Sequence, residues 1–130
     1  MTRLVTVTLQ DAPVVAAPDG SVVHVLGRVA GGSMATFSLA SGAVARAVAH
    51  RTVEELWYVV AGHGRIWRRL AAEEQTTPLA PGTCIALPAG TQFQFRCDGA
   101  ETLRIVGVTM PPWPGDDEAC PVPGPWAPSV

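Results

Sequence analysis

The sequence predicts an all-β, single-domain barrel or sandwich, and three observations predict it. Apolar and polar residues alternate with a period of two along most of the chain, as half-buried strands require. Turn-forming clusters interrupt that alternation at close spacing. Helical periodicity is nearly absent: Ala71–Gln75 alone has helix-forming composition, and it is too short to build a layer. A chain of 130 residues can bury a real core but has no room for a second one.

Strands are expected at 4–9, 22–29, 34–40, 43–50, 55–61, 64–70, 83–87, 92–97 and 102–109. Each is bounded by residues with a steric reason to turn the chain. Pro18-Asp19-Gly20 leads into the second strand, Gly31-Gly32-Ser33 joins it to the third, and Ser41-Gly42 joins the third to the fourth. Gly62-His63-Gly64 closes a tight hairpin, and Ala80-Pro81-Gly82, Pro88-Ala89-Gly90 and Asp98-Gly99 separate the remainder. From Pro111 the character changes, because seven prolines in the last 20 residues exclude regular sheet or helix for most of that stretch. Trp113 and Trp126 carry surfaces that prefer burial, so 111–130 is expected to be an extended strap lying on the barrel of residues 1–110, or on a second subunit, within the same domain.

Composition excludes several classes of function. The formal charge of −2 offers no basic face, so no nucleic-acid partner is expected; Arg65, Arg68 and Arg69 read as a solvated strand face. No apolar run reaches the roughly 18 residues of a membrane-spanning helix, and the N-terminus alternates where a signal peptide would be continuously apolar. Cys84, Cys97 and Cys120 are odd in number and lack metal-type spacing, which suits reduced thiols in a cytoplasmic protein.

Two spacings carry the chemistry. Gly42 is followed after five residues by Val48, then by His50, after four more by Glu55, and after six by Gly62. Further on, Gly82 is followed after five residues by Pro88-Ala89-Gly90, then Phe93 and Cys97. This pattern resembles the two motifs of the cupin superfamily, of which the first carries His-x-His and a Glu and the second a His. The resemblance spans roughly residues 22–112. It implies a small jelly-roll barrel of two antiparallel sheets with the ligand site inside. His50 and Glu55 stand at two of the four usual metal-ligand positions, and Val48 and Phe93 occupy the other two. The alanine-, arginine- and proline-rich composition also resembles proteins of high-GC bacteria, where such reduced-ligand cupins occur beside biosynthetic genes.

If His50 faces the interior, alternation turns Val48, Arg46 and Val44 inward with it, and Trp57 with Glu55 on the next strand; a bulge shifting the register by one residue would instead turn Arg46 outward. Phe93, Phe95 and Cys97 then share a face, leaving Gln94 and Arg96 outside, and Tyr58 falls on the outer face of its strand. The expected cavity is apolar, with Arg46, His50 and Glu55 as polar exceptions, which is the usual form of a small-molecule site. His50 and Glu55 are the expected acid/base pair, and Arg46 the clamp for an anionic group on an apolar ligand. Val48, Trp57, Phe93 and Phe95 are the expected ligand-contacting walls. These residues fit an isomerase, cyclase or dehydratase with no tightly held cofactor. Two alternatives stay open: a non-catalytic ligand-binding or sensing protein using the same pocket, and a metal-dependent oxygenase or isomerase with a reduced ligand set. In the latter a weakly bound divalent ion would sit on His50, Glu55 and His24. A homodimer through an edge strand and the strap is expected, since small barrels must cover their edges.

Overall fold

The structure, a computed structural model, describes residues 3–130. Among them eleven strands follow one another: β1 (Val14–Ala16), β2 (Val22–Val29), β3 (Gly32–Leu39), β4 (Val48–His50), β5 (Glu54–Ala61), β6 (Gly64–Leu70), β7 (Glu73–Leu79), β8 (Cys84–Leu87), β9 (Gln92–Cys97), β10 (Leu103–Met110) and β11 (Ala119–Pro121). They form a six-stranded sheet in the order β1-β2-β3-β10-β5-β8 and a five-stranded sheet in the order β11-β4-β9-β6-β7. Every pairing is antiparallel. Among the described residues no helix is long and apolar enough to cross a membrane.

The core lies between the sheets because alternate side chains of both point there. Along β5 the pattern is strict: Glu55, Trp57 and Val59 are buried while Glu54, Leu56, Tyr58 and Val60 are exposed. Ile66, Phe93, Phe95, Leu103 and Ile105 are at most 2% exposed, and burying each such side chain contributes about 2–3 kcal/mol. Two glycines are required at their positions. Gly62 turns the β5–β6 hairpin with φ +84, and a Cβ there would stand 2.6 Å from the Leu103 backbone. Gly107 faces inward, where a Cβ would fall within 2.8 Å of the Phe37 ring, so its missing side chain is the space that ring fills.

Several features differ from the expectation. Residues 4–9 are not a strand: the segment is exposed and ends in the 3-10 turn Leu9–Asp11, capped by the Thr8 side chain. Alternation alone cannot make a strand without a partner, and the β2 edge is taken by the short β1. Strand 73–79 was hidden by its polarity, because β7 is an edge strand that draws its hydrogen bonds from β6 and faces water along most of its length. Ala71, with φ +52, is in the turn that precedes it instead of a helix. Cys84, which as an apolar residue of a strand would read as core, is exposed.

A further difference matters most for the site. The strand expected over 43–50 is regular only at Val48–His50, with an isolated bridge at Val44↔Arg96. Val48 pairs with Phe93, so four steps from Val44 to Val48 oppose three from Phe93 to Arg96. One extra residue sits on this side, a bulge that reverses the facing of everything before it. Ala43 and Ala45 therefore join the core, and Arg46 turns outward. The interrupted ladder is repaired by a side chain: Gln94 Nε2 donates to the Ala45 carbonyl at 2.8 Å.

That repair also anchors the C-terminal segment. Gln94 exchanges two hydrogen bonds with the Trp126 backbone and is 1% exposed, so it is covered and not the solvated residue alternation suggests. The Trp126 ring lies against the Arg65 and Arg96 guanidinium groups, at 5.5 and 5.4 Å. Ser129 bonds the Val44 backbone, and β11 extends the five-stranded sheet beside β4. Glu118, in an acidic run that would read as solvated, is 5% exposed and receives bonds from Thr52 N, Thr52 Oγ1 and Val53 N. Desolvation is the largest single influence on its pKa and pushes it up, but those hydrogen bonds together outweigh it and hold the carboxyl below its ordinary value of 4.5.

A depressed carboxyl contributes stability that is fully present above 4.5 and is lost as pH falls through the lower folded value. Glu118→Ala removes three bonds at once and should destabilise the protein by about 2–3 kcal/mol at neutral pH. The difference from the unsubstituted protein should shrink in acid; equal denaturant midpoints at neutral pH would show that Glu118 does not hold the segment.

Candidate functional site

A cavity of about 600 Å³ is lined from both sheets, a size suited to a small organic molecule. Strand β4 delivers Val48 and His50, β5 delivers Glu55 and Trp57, and β9 delivers Phe93. Val48 and Phe93 face each other across the β4–β9 pairing, so the two substituted ligand positions meet as an apolar contact. Phe95 is 1% exposed but packs behind Trp57 at 5.0 Å and does not line the cavity.

His50 and Glu55 meet as expected. His50 Nδ1 lies 2.8 Å from Glu55 Oε1, and Trp57 Nε1 donates to Glu55 Oε2 at 2.6 Å. Both carboxylate oxygens are therefore engaged, which compensates a group that is only 4% exposed. Trp57 thus holds Glu55 as well as forming a wall. The imidazole is 8% exposed and edge-packed on Phe93 and Trp113, at ring-centre distances of 5.2 and 5.0 Å. With Nδ1 committed to Glu55, Nε2 is the nitrogen left for a ligand, and no hydrogen bond to it exists among the described residues.

Besides Phe95, two expected residues are not brought to the site. Arg46 is exposed on the outer surface, where Nε donates to the Val130 carbonyl at 2.9 Å; the bulge described above is the reason, and the anion clamp is withdrawn. His24 is on β2 between Val23 and Val25, which line the cavity, and alternation turns it to the opposite face. It pairs with Thr36 across the sheet and cannot join His50 and Glu55.

Two cavity residues lacked a distinguishing signal. Trp113 reads as a tail tryptophan that needs burial; its backbone N–H bonds Ser33 Oγ at 2.9 Å, which brings the ring against His50. Asp19 reads as a turn residue, yet it is 9% exposed and lines the cavity. Burial raises its carboxyl above the ordinary range against the opposing Ser21 hydrogen bonds; Glu55 adds to the rise and His50 opposes it.

A metal does not fit this donor set. A firmly held catalytic ion takes three protein ligands. No group of three or more His, Cys, Asp or Glu side chains is arranged to hold one among the described residues. Nδ1 of the one cavity histidine is turned to a carboxylate, Val48 and Phe93 have no donor atoms, and His24 faces away.

A family model described as "Cupin domain" matches residues 35–109. No curated protein matches the chain. Among solved structures, a tyrosine-to-phenylalanine variant of Streptomyces PAC13 with uridine is similar at TM-score 0.72 and 18% identity, covering 94% of this chain and 92% of that one. A further structure of Pac13, described as a nucleoside dehydratase, is similar at TM-score 0.72 and 16% identity, covering 93% and 92%. Oxalate decarboxylase from Bacillus subtilis is similar at TM-score 0.79 and 12% identity, covering 94% of this chain and 33% of that one. At such identities the neighbours share the two-sheet barrel. With its family model spanning more than half of its length, this chain belongs to the cupin family.

Proposed function

We propose that this cupin is a small-molecule enzyme that moves protons with the His50–Glu55 pair, in an isomerisation, cyclisation or dehydration, without a firmly bound metal. The observation that carries the proposal is the buried pair itself, with a 2.8 Å Nδ1–Oε1 contact in an apolar cavity and Nε2 uncommitted. In the proposed reaction Nε2 takes a proton from the ligand, and Glu55, fixed by Trp57, stabilises the imidazolium through Nδ1–H. The proton returns to a different ligand atom in an isomerisation, or leaves with a departing hydroxyl as water in a dehydration. The similarity to a nucleoside dehydratase and to structures holding uridine supports a small ring-bearing ligand. The chain's one tyrosine, Tyr58, is on the outer face, so the proposed chemistry runs without a phenol.

His50→Gln should lower turnover by about 10²–10⁴-fold while the cavity still binds ligand. Candidate nucleosides and sugar aldehydes incubated in deuterium oxide report proton abstraction directly, by mass or NMR. Equal deuterium exchange with His50→Gln would sink the acid/base role. Ligand binding without any exchange or product would favour a non-catalytic binding protein.

We also propose a homodimer, formed through the outer face of the six-stranded sheet. The C-terminal segment packs on its own barrel. By contrast Val22, Leu56, Tyr58 and Val60 are 43–51% exposed on β2 and β5, apolar side chains that a second copy would cover. Sedimentation should give a dimer, and Leu56→Glu with Tyr58→Glu a monomer; a monomeric unsubstituted protein, or a dimeric double variant, contradicts this surface.

A further inference from the structure

Asp19 has a role in its turn that explains only half of its side chain. The turn is closed by backbone bonds between Ala17 and both Gly20 and Ser21, each 2.9 Å. Asp19 Oδ1 accepts from Ser21 N at 2.9 Å and from Ser21 Oγ at 2.7 Å. An asparagine would cap the same turn. Oδ2 has no protein partner among the described residues, and the residue is nine-tenths buried.

A nearly buried carboxyl needs a partner, and the chain supplies no cation for this one. The ion pairs among the described residues are His50–Glu55, Arg65–Asp98 and Arg96–Asp98. Arg46 is the nearest in backbone terms, since its N–H donates to the Asp19 carbonyl, but its guanidinium goes to Val130. The cavity therefore has three buried titratable side chains, Asp19, His50 and Glu55, of which two are acidic. Its other charged lining residues, Arg3, Arg28 and Asp116, are exposed and belong to the mouth.

We propose that Asp19 is a second ligand-contacting carboxyl of this cavity, receiving a hydroxyl or ammonium donor of the bound molecule at Oδ2 while His50 acts on a neighbouring atom. The inference rests on the ligand site proposed above and names its substrate class. The buried end of the ligand is neutral or cationic and rich in hydrogen-bond donors. An anionic group is turned away from the floor and tolerated only at the mouth.

Three one-ring probes test this: benzylamine, benzyl alcohol and benzoate, titrated while following the Trp57 indole N–H resonance, which sits on Glu55 beside the floor. The amine and the alcohol should shift that resonance and benzoate should not. Asp19→Asn, which keeps the Oδ1 cap, should weaken benzylamine by about tenfold or more and admit benzoate. Arg46→Ala should change neither. Benzoate shifting Trp57 as strongly as the amine, or amine affinity unchanged in Asp19→Asn, overturns the assignment. So does the absence of any shift with all three probes. Binding through Asp19 without turnover of any substrate would instead refute the proton-transfer reading and leave this inference standing.

Discussion

The Glu55 carboxylate is the group around which the interior is arranged. A buried carboxylate without partners costs several kcal/mol, and here one oxygen faces His50 while the other receives the Trp57 indole N–H. That requirement ties three side chains on two strands of different sheets to one geometry. It also orients the imidazole, since a ring with Nδ1 on Glu55 presents Nε2 elsewhere. The packed aromatics keep it there: Trp57 rests on Phe37, Phe93 and Phe95 at 5.0–5.4 Å, and His50 rests on Phe93 and Trp113. Val48 and Phe93, at the positions where the cupin motifs place metal ligands, fill the volume beside the pair with carbon.

A second constraint lies one strand away. The bulge between Val44 and Val48 leaves backbone groups that the β4–β9 ladder does not pair. Asp19 and Phe95 carbonyls take two of the N–H groups, at Arg46 and Ala45, and Gln94 takes the Ala45 carbonyl. Ala47 bonds Val122 of the C-terminal segment. The segment is thus part of the barrel wall, and it brings Trp113 to the cavity as well as Trp126 to the two arginines. The same bulge explains why the expected arginine clamp is absent from the cavity.

Much of this was legible in the residues. Alternation located most of the long strands, and the glycine and proline spacing located the turns that bring His50 to Glu55. What failed did so for local reasons. Alternation at 4–9 met no partner strand, the polar edge strand β7 showed no apolar face, and Asp19 in Pro18-Asp19-Gly20 looks the same whether its carboxyl faces water or a cavity. A bulge adds one residue without a composition of its own, so Arg46 could not be assigned a side from its neighbours.

The sequence by itself therefore determined the all-β architecture, the family and the meeting of one imidazole with one carboxylate, because strand period and turn chemistry are properties of adjacent residues. Only the tertiary structure decided that Arg46 leaves the cavity, that His24 faces away, and that Asp19 and Trp113 enter it. Those outcomes depend on register across strands distant in sequence and on which segment covers which edge, and no local pattern encodes either.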